Sequence, residues 1–301
     1  MGARRAGPLA AEALIGDRRG FVVSVHARAV NLLLDDGPLV ALLPGNSPLH
    51  PWAVAVPLTR RDLARVAEGA PVRVSDGVVE AGTLRIELAG LEVVDLRLRH
   101  RPRQFAPTAV GTLARHAAAQ PADGPFEPAL AAALERFQAG GEVRGLAMLV
   151  GVGEGLTPSG DDVLVGVLAG LDAAREASGD ATALRERLRA ELERGTSRTT
   201  RLAAQMLDAA GAGFYAEPVL GLLETLASPK PGARVLERAV AVLLAVGHRS
   251  GGDTLRGIVA ALERLAAGAQ SRHVRRALRA RSAPPAPGRS VRGPRPPARG
   301  R

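Results

Sequence analysis

The chain has 301 residues, of which 46% are apolar, so it is long enough to bury a sizeable core. Only 2% are aromatic, and the formal charge of +10 is accounted for by ten arginines within residues 271–301, which excludes an ordered basic face that stacks nucleic-acid bases. The absence of cysteine excludes disulfides, thiolate nucleophiles and zinc–thiolate sites.

Residues 20–98 carry a pattern typical of strands. FVVSVHARAVNLLL and PLVALLP are Val/Leu runs joined by the turn signal DDGP, and later residues alternate between apolar and polar with breaks at SDG, EAG and LAG. The pattern predicts several antiparallel strands in a small barrel or sandwich, with a single helix at residues 60–69.

After residue 105 the hydrophobic period becomes helical. Predicted helices cover residues 108–120, 127–138, 161–177, 183–194, 200–210, 218–227, 234–246, 253–267 and 272–281. The sequence therefore predicts an α+β fold, a β-rich N-terminal small barrel or sandwich followed by an α-helical domain. The predicted division is an N-terminal segment (1–19), a β-rich domain (20–104), a helical domain (105–281) and a Pro/Arg-rich tail (282–301) that is too poor in apolar residues to order.

The sequence shows no pattern of a membrane span or a signal peptide, which favours the cytoplasm. No apolar run approaches the roughly 20 residues that span a bilayer, and Arg4 and Arg5 are not followed by the apolar stretch of a signal peptide. We expect a cytoplasmic protein with neither a membrane nor a specific nucleic acid as its partner.

An internal repeat is the most informative pattern in the helical half. Residues 159–171 read SGDDVLVGVLAGL and residues 250–262 read SGGDTLRGIVAAL, and each opens with Ser-Gly-x-Asp before an apolar helix. In each copy the serine is predicted to cap the helix and the aspartate to complete a capping box at its third residue. A purely structural interpretation keeps the glycine for close packing. The matched residues are Ser159/Ser250, Gly160/Gly251 and Asp162/Asp253.

A glycine-rich stretch, GVGEGLTPSGDDVLVG, leads into the first copy. The spacing of Gly151, Gly153 and Gly155 fits neither GxxxxGK[ST] nor GxGxxG, and no P-loop lysine follows, which argues against a nucleotide loop. Asp161 has no acidic counterpart in the second copy, where Gly252 stands. It is therefore predicted to be the less structural of the two adjacent aspartates.

A functional interpretation uses both helix starts together. Backbone N–H groups at each start can receive anionic oxygens, while hydroxyls donate or accept and carboxylates accept from amides or hold Mg²⁺. Such a mixture of donors and acceptors suits a ligand that carries a carboxylate or phosphate beside an amide.

A hydroxyl-rich cluster, RGTSRTTR at residues 194–201, has two interpretations. Thr199 or Thr200 caps the following helix among solvated arginines, or Arg198 or Arg201 clamps a carboxylate. His248, just before the second copy, is either structural or a proton donor.

These motifs define the candidate site. The predicted catalytic residues are Asp161 and Asp162, and the six histidines show no metal-binding spacing, so no metal ligand is assigned. The predicted ligand-binding residues are Gly153, Gly155, Thr157, Ser159, Gly160, Thr199, Thr200, His248, Ser250, Gly251 and Asp253.

Three motifs together resemble a bacterial family, the AllH-type subunits of oxamate carbamoyltransferase, long described only as a domain of unknown function. They are GVGEGLTPSGDDVLVG, TSRTTRLAAQMLDAAGAGF and GHRSGGDTLRGI, in that order and spacing. The resemblance implies a multi-subunit enzyme of allantoin (purine) breakdown that converts oxalurate and phosphate reversibly to oxamate and carbamoyl phosphate. Two positions depart from the family's pattern, Arg249 in place of a threonine and Ala203 in place of a serine.

Three functions follow as alternatives. The first is a carbamoyltransferase subunit that binds oxamate, carbamoyl phosphate or a similar ligand and works with other subunits, without a cofactor. The second is a non-catalytic partner or ligand-sensing subunit with the same site. The third is a Mg²⁺-dependent enzyme that uses Asp161, Asp162 and Asp253 as ligands.

Overall fold

The computed structural model describes residues 1–35 and 37–282, with side chains described as far as residue 268. The chain divides into two compact units, Met1–Leu265 and Ala266–Arg301. The predicted disorder of the tail falls, from residue 283 onward, outside the described residues. Among the helices of the described part, none is long and apolar enough to cross a membrane.

Nine strands in the front part of the chain form one sheet. They are β1 (Arg5–Ala6), β2 (Arg18–His26), β3 (Ala29–Leu34), β4 (Leu39–Pro44), β5 (Ala53–Val56), β6 (Pro71–Ser75), β7 (Val78–Ala81), β8 (Leu84–Glu87) and β9 (Glu92–Val93), with two short helices between them, α1 (Pro8–Ala13) and α2 (Arg60–Leu63). Their order across the sheet is β8-β7-β6-β2-β3-β4-β5-β1-β9. Neighbours run antiparallel except the β4–β5 and β1–β9 pairs.

The sheet curls into a half-barrel, and the first residues of the chain contact both of its ends. Gly2 forms a bridge with Glu87 at the end of β8, while β1, only a few residues later, lies between β5 and β9. Buried Val, Leu and Ala side chains from both halves of the sheet fill the enclosed core. The prediction of an α+β fold with a β-rich front part is confirmed.

The helix predicted at residues 60–69 is wrong in its second half, because α2 ends at Leu63. Thr59 caps this short helix with a complete capping box to Asp62. Beyond it the backbone pairs with β2 instead, since the Gly69 N–H donates to the Val22 carbonyl and the Val22 N–H donates to the Ala70 carbonyl. Strand pairing therefore overrides the helical pattern.

The rest of the described chain is mainly helical. They are α3 (Pro107–Ala118), α4 (Glu127–Gly140), α5 (Val143–Ala147), α6 (Ser159–Ala173), α7 (Gly179–Leu192), α8 (Arg201–Gly211), α9 (Glu217–Ala227), α10 (Ala233–Leu244) and α11 (Ser250–Ser282), with a 3-10 turn at Thr196–Arg198. The predicted helices at 253–267 and 272–281 are one continuous helix. A single glycine, Gly268, stands between the two patterns, and an isolated glycine is tolerated within a helix.

The two copies of the repeat lie on α6 and α11, which cross in direct backbone contact. A Cβ atom added at Gly166 would lie 2.0 Å from the Thr254 carbonyl oxygen, and one at Gly257 would lie 2.1 Å from the Val163 carbonyl oxygen. The contacts are reciprocal, because Val163 and Thr254 occupy equivalent positions of the two copies. The repeated glycines thus let the helices approach closely, with their starts side by side.

Candidate functional site

A cleft of about 500 Å³ opens where the starts of α6, α11 and α4 meet. Both copies of the repeat contribute a serine and an aspartate to it, and the loops before them contribute a threonine and a histidine. The cleft is lined by Gly124, Pro125, Phe126, Glu127, Leu130, Glu154, Gly155, Leu156, Thr157, Ser159, Asp162, Gly247, His248, Arg249, Ser250 and Asp253.

Hydroxyl groups of one copy hydrogen-bond to the carboxylate of the other. The Ser250 hydroxyl bonds to Asp162, and the Ser159 hydroxyl bonds to Asp253. Thr157 adds a further hydroxyl bond to Asp162, and its Oγ1 lies 3.0 Å from the Ser250 Oγ. The repeat therefore builds one shared site instead of two independent helix starts.

Each cleft carboxylate keeps one oxygen without a partner. The Oδ2 atoms of Asp162 and Asp253 are buried and accept no hydrogen bond from any described group. Burial raises the pKa of Asp162 to about 8, aided by the negative charges of Asp253 and Asp161 and opposed by the hydroxyls bonded to it. Burial also raises the pKa of Asp253, opposed by the Ser159 hydroxyl and by two arginines, Arg256 and Arg249. An unpaired buried acceptor is costly, which makes both oxygens candidates for ligand N–H groups.

The predicted capping boxes do not form. Ser159 and Ser250 are the first helical residues, and Pro158 occupies the N-cap position of α6 with no side-chain cap. The next N–H groups are already used, because Gly160 donates to the Val152 carbonyl and Gly251 donates to the Val246 carbonyl. Serine hydroxyls are thereby left to bond across the cleft, while these two backbone N–H groups do not serve an anion.

Glycines 160 and 251 have the packing role that the structural interpretation gave them. A Cβ atom at Gly160 would lie 2.0 Å from the Leu149 carbonyl oxygen, and one at Gly251 would lie 2.0 Å from the Leu243 carbonyl oxygen. Each helix start is therefore seated on the backbone of the segment before it, and neither glycine lines the cleft.

Asp161, unlike Asp162, does not line the cleft. One carboxylate oxygen accepts the Gly151 N–H at 3.2 Å and the other accepts the Thr199 hydroxyl at 2.6 Å. Burial nevertheless raises the pKa of Asp161, against these hydrogen bonds and the charge of Arg198. The side chain ties the glycine loop to the segment before α8, because it accepts one hydrogen bond from each of them.

The glycine loop is a tight backbone bend. At Gly151, where φ is +78°, a Cβ atom would lie 2.3 Å from the Arg198 carbonyl oxygen. At Gly153, where φ is +129°, it would lie 2.4 Å from the Ser159 nitrogen. Of the three loop glycines, Gly151, Gly153 and Gly155, only Gly155 lines the cleft. Sterics, not anion binding, therefore explain the first two glycines.

The hydroxyl-rich cluster also lies outside the cleft. Thr200 caps α8 by accepting the Ala203 N–H at 3.1 Å, as the capping interpretation predicted. Arg198 donates to the Ala147 carbonyl at 2.8 Å and Arg201 to the Gly37 carbonyl at 2.7 Å, so both guanidinium groups contact backbone outside the cleft. These side chains hold neighbouring segments together.

Several cleft residues were not predicted from sequence. Glu127 and Phe126 come from the start of α4, and Glu154 comes from the glycine loop. Arg249 donates to the Pro121 carbonyl at 3.1 Å and so ties the loop before α4 to the cleft. Only chain folding brings α4 to the repeat, so no local pattern signalled its contribution.

Metal binding by three carboxylates finds no support in this arrangement. In residues 1–35 and 37–268, no three His, Asp or Glu side chains lie close enough together to hold a metal ion. Asp161 turns away from Asp162 and Asp253, so the three do not converge.

Asp161→Ala is expected to lower the free energy of unfolding by about 2 kcal/mol, because it leaves two donors without their acceptor. Thr199→Val removes one of the two bonds and should cost about 1 kcal/mol. Urea unfolding monitored by circular dichroism measures both, with Asp17→Ala at an exposed position as the control. Equal stability of Asp161→Ala and the control would remove the structural role.

Fold and site together define an α+β protein with a polar cleft between two repeated helix starts. The chain belongs to the AllH family: residues 149–262 match the family model described as oxamate carbamoyltransferase subunit AllH, and residues 5–93 match the AllH family N-terminal domain. Searches of curated proteins and of solved structures found no match. Family membership deduced from the three motifs is thus confirmed and extends to the β-rich front part.

Proposed function

We propose that this chain is a subunit of a multi-subunit oxamate carbamoyltransferase-like enzyme, and that its cleft binds a small ligand with a carboxylate or phosphate beside an amide. The description of the family supports the subunit role and implies further subunits. The observation that carries the ligand class is the pair of buried, unpartnered oxygens on Asp162 and Asp253.

Oxamate matches this cleft group by group. Its amide N–H donors satisfy the two Oδ2 atoms, whose burial makes their unpaired state costly. Its carboxylate needs donors, which Arg249 and His248 provide at the same cleft. A guanidinium has five N–H donors, so Arg249 keeps some after bonding to the loop before α4.

Asp162 is suited to move the proton that the reaction requires. A phosphate oxygen attacks the terminal carbamoyl carbon of oxalurate, the bond from that carbon to the inner nitrogen breaks, and the nitrogen takes a proton to give the oxamate amide. The proton lost by the phosphate restores Asp162. A carboxyl whose pKa is raised by burial to about 8 holds a proton near neutral pH and also gives it up readily.

Calorimetric titration of oxamate into the full-length chain tests the proposal. Asp253→Asn should weaken oxamate binding at least tenfold, because an amide has no negative charge with which to accept the ligand's N–H. Asp17→Asn, at an exposed position of the β-rich part, should bind as the wild type does. Absence of binding of oxamate, oxalurate and carbamoyl phosphate, alone and with partner subunits, would overturn the site.

Turnover separates a catalytic from a ligand-sensing subunit. In the assembly reconstituted with its partner subunits, carbamoyl phosphate formation from oxalurate and phosphate should fall at least about a hundredfold in Asp162→Asn. Oxamate binding without any dependence of turnover on Asp162 would favour the non-catalytic alternative. Magnesium titration of Asp162→Asn and Asp253→Asn against the wild type tests the Mg²⁺ alternative.

A further inference from the structure

The two copies of the repeat differ at a position one turn after their shared aspartate. Arg256 follows Asp253 by three residues, and Val165 stands at the equivalent place after Asp162. Both side chains are largely enclosed, Val165 within the core and Arg256 with only 14% of its side chain exposed. The two sides of the near-symmetric cleft therefore differ, because a largely enclosed cation stands on the side of Asp253 where the other side has a valine.

Arg256 joins two acidic side chains of the cleft. It forms a bidentate pair with Glu127 at the start of α4, one bond of which is 2.9 Å long, and its Nη1 lies 3.5 Å from the Asp253 Oδ1. The side chains of Glu127 and Asp253 are only 13% and 5% exposed. Low exposure strengthens these charge interactions, since little water screens them.

The surroundings of the two cleft aspartates consequently differ in charge. Around Asp253, the positive charges of Arg256 and Arg249 oppose its protonation and the negative charge of Glu127 favours it. Around Asp162, the neighbouring charges are the carboxylates of Asp253 and Asp161, and both favour protonation. The other ionisable groups that line the cleft are Glu154 and His248.

We propose that Arg256 is a positioning residue that divides two otherwise equivalent carboxyl groups into an ionised acceptor, Asp253, and a proton carrier, Asp162. The proposal rests on the function proposed above and adds how the site assigns its roles. In the ligated cleft, Asp253 accepts an amide N–H of the ligand, and Asp162 delivers the proton to the leaving nitrogen. Glu127 holds the guanidinium through both of its terminal nitrogens, one of which, Nη1, also faces Asp253.

Carboxyl titration followed by NMR on the full chain with ¹³C-labelled aspartate tests this division without any ligand. Signals are assigned from Asp162→Asn and Asp253→Asn. In Arg256→Gln the titration midpoint of Asp253 should move up and that of Asp162 down, because the proton is then shared more evenly. Arg256→Lys should restore most of the wild-type pattern, and Arg187→Gln, exposed on α7, should leave it unchanged.

Glu127→Gln gives the opposite shift and keeps the test decisive if Arg256→Gln fails to fold. Removal of this negative charge should move the Asp253 midpoint down. Oxamate affinity at pH 7 should fall about tenfold in Arg256→Gln, since the acceptor loses its charge. An unchanged Asp253 midpoint in both variants would overturn the positioning role, whereas absence of oxamate binding by the wild type counts against the proposed function alone.

Discussion

Alanine at Gly166 or at Gly257 is expected to lower the free energy of unfolding by about 3 kcal/mol. The added methyl group would overlap a backbone carbonyl oxygen of the facing helix, at 2.0 Å for Gly166 and 2.1 Å for Gly257. A backbone oxygen within a helix cannot turn aside as a side chain does, so α6 and α11 must separate along their contact. Their separation exposes core residues on both sides of the crossing and pulls apart the two halves of the cleft.

Two other helical glycines provide matched controls with the opposite sign. Added Cβ atoms at Gly111 in α3 and at Gly221 in α9 meet no atom within 4 Å. Alanine at either position should therefore stabilise the protein by about 0.5–1 kcal/mol, because it restricts the unfolded chain. Urea unfolding of all four variants measures the difference. Stabilisation by Gly166→Ala similar to that by Gly221→Ala would show that the crossing is not close.

The sequence alone predicted much of this architecture because its signals are local. Alternation of apolar residues and DDGP-type turns indicated the strands, and caps such as Thr200 with the change of period near residue 105 indicated the helices. Short elements were not predicted from the sequence, for the same reason. A five-residue helix such as α5 shows no full period. The chain beyond α2 follows β2 because Gly69 and Ala70 pair with Val22, which is distant in sequence.

The structure brings two predicted site residues, Asp162 and Asp253, to one cleft and leaves a third, Asp161, outside its lining. The repeat indicated Asp162 and Asp253, because a motif that recurs within a chain can be recognised without any knowledge of the fold. The role of Asp161 could not be deduced from it, since its partners Gly151 and Thr199 are fixed only by the packing of two loops. The second copy has no acidic residue at the position equivalent to Asp161. This difference between the copies reflects the structural contacts of Asp161 and does not identify a catalytic residue.

Arg256 marks a difference between the two copies of the repeat that is visible in the sequence. It differs from Val165 at an otherwise apolar helical position, and a charge in such a place calls for a partner. The partner, Glu127, lies on another helix and is invisible to a local pattern. Differences between internal repeats are therefore as informative as their similarities, once the fold shows what each difference faces.

Asp162→Asn is expected to stabilise the protein above pH 7 while it lowers the turnover of the assembly. Burial raises the pKa of Asp162 from 3.8 to about 8. Between these values the unfolded chain has lost this proton and the folded chain retains it, so the stability of the wild type falls as pH rises. The decrease amounts to about 1.4 kcal/mol per pH unit within the window and levels off above it. Asparagine does not titrate, so the variant lacks this decrease.

The comparison must be made as a difference between variant and wild type at each pH. Burial lowers the pKa of His50 from 6.5 to about 4, and this group alone makes stability rise with pH over that range. Because His50 is present in both proteins, its effect cancels in the difference. The free energy of unfolding, measured by urea at several pH values from 4 to 9, should show an advantage of Asp162→Asn that is small near pH 4, grows with pH and is largest above pH 8. Asp17→Asn should show no such trend.

A gain in stability together with a loss of turnover would distinguish Asp162 from a structural aspartate. Both oxygens of Asp161 are hydrogen-bonded within the fold, so Asp161→Ala should lower the stability of the protein. Asp162 keeps a buried oxygen free, and that oxygen destabilises the unligated protein until an N–H group of a ligand reaches it. A stability difference between Asp162→Asn and wild type that does not change with pH would contradict the buried, proton-bearing state on which the proposed chemistry depends.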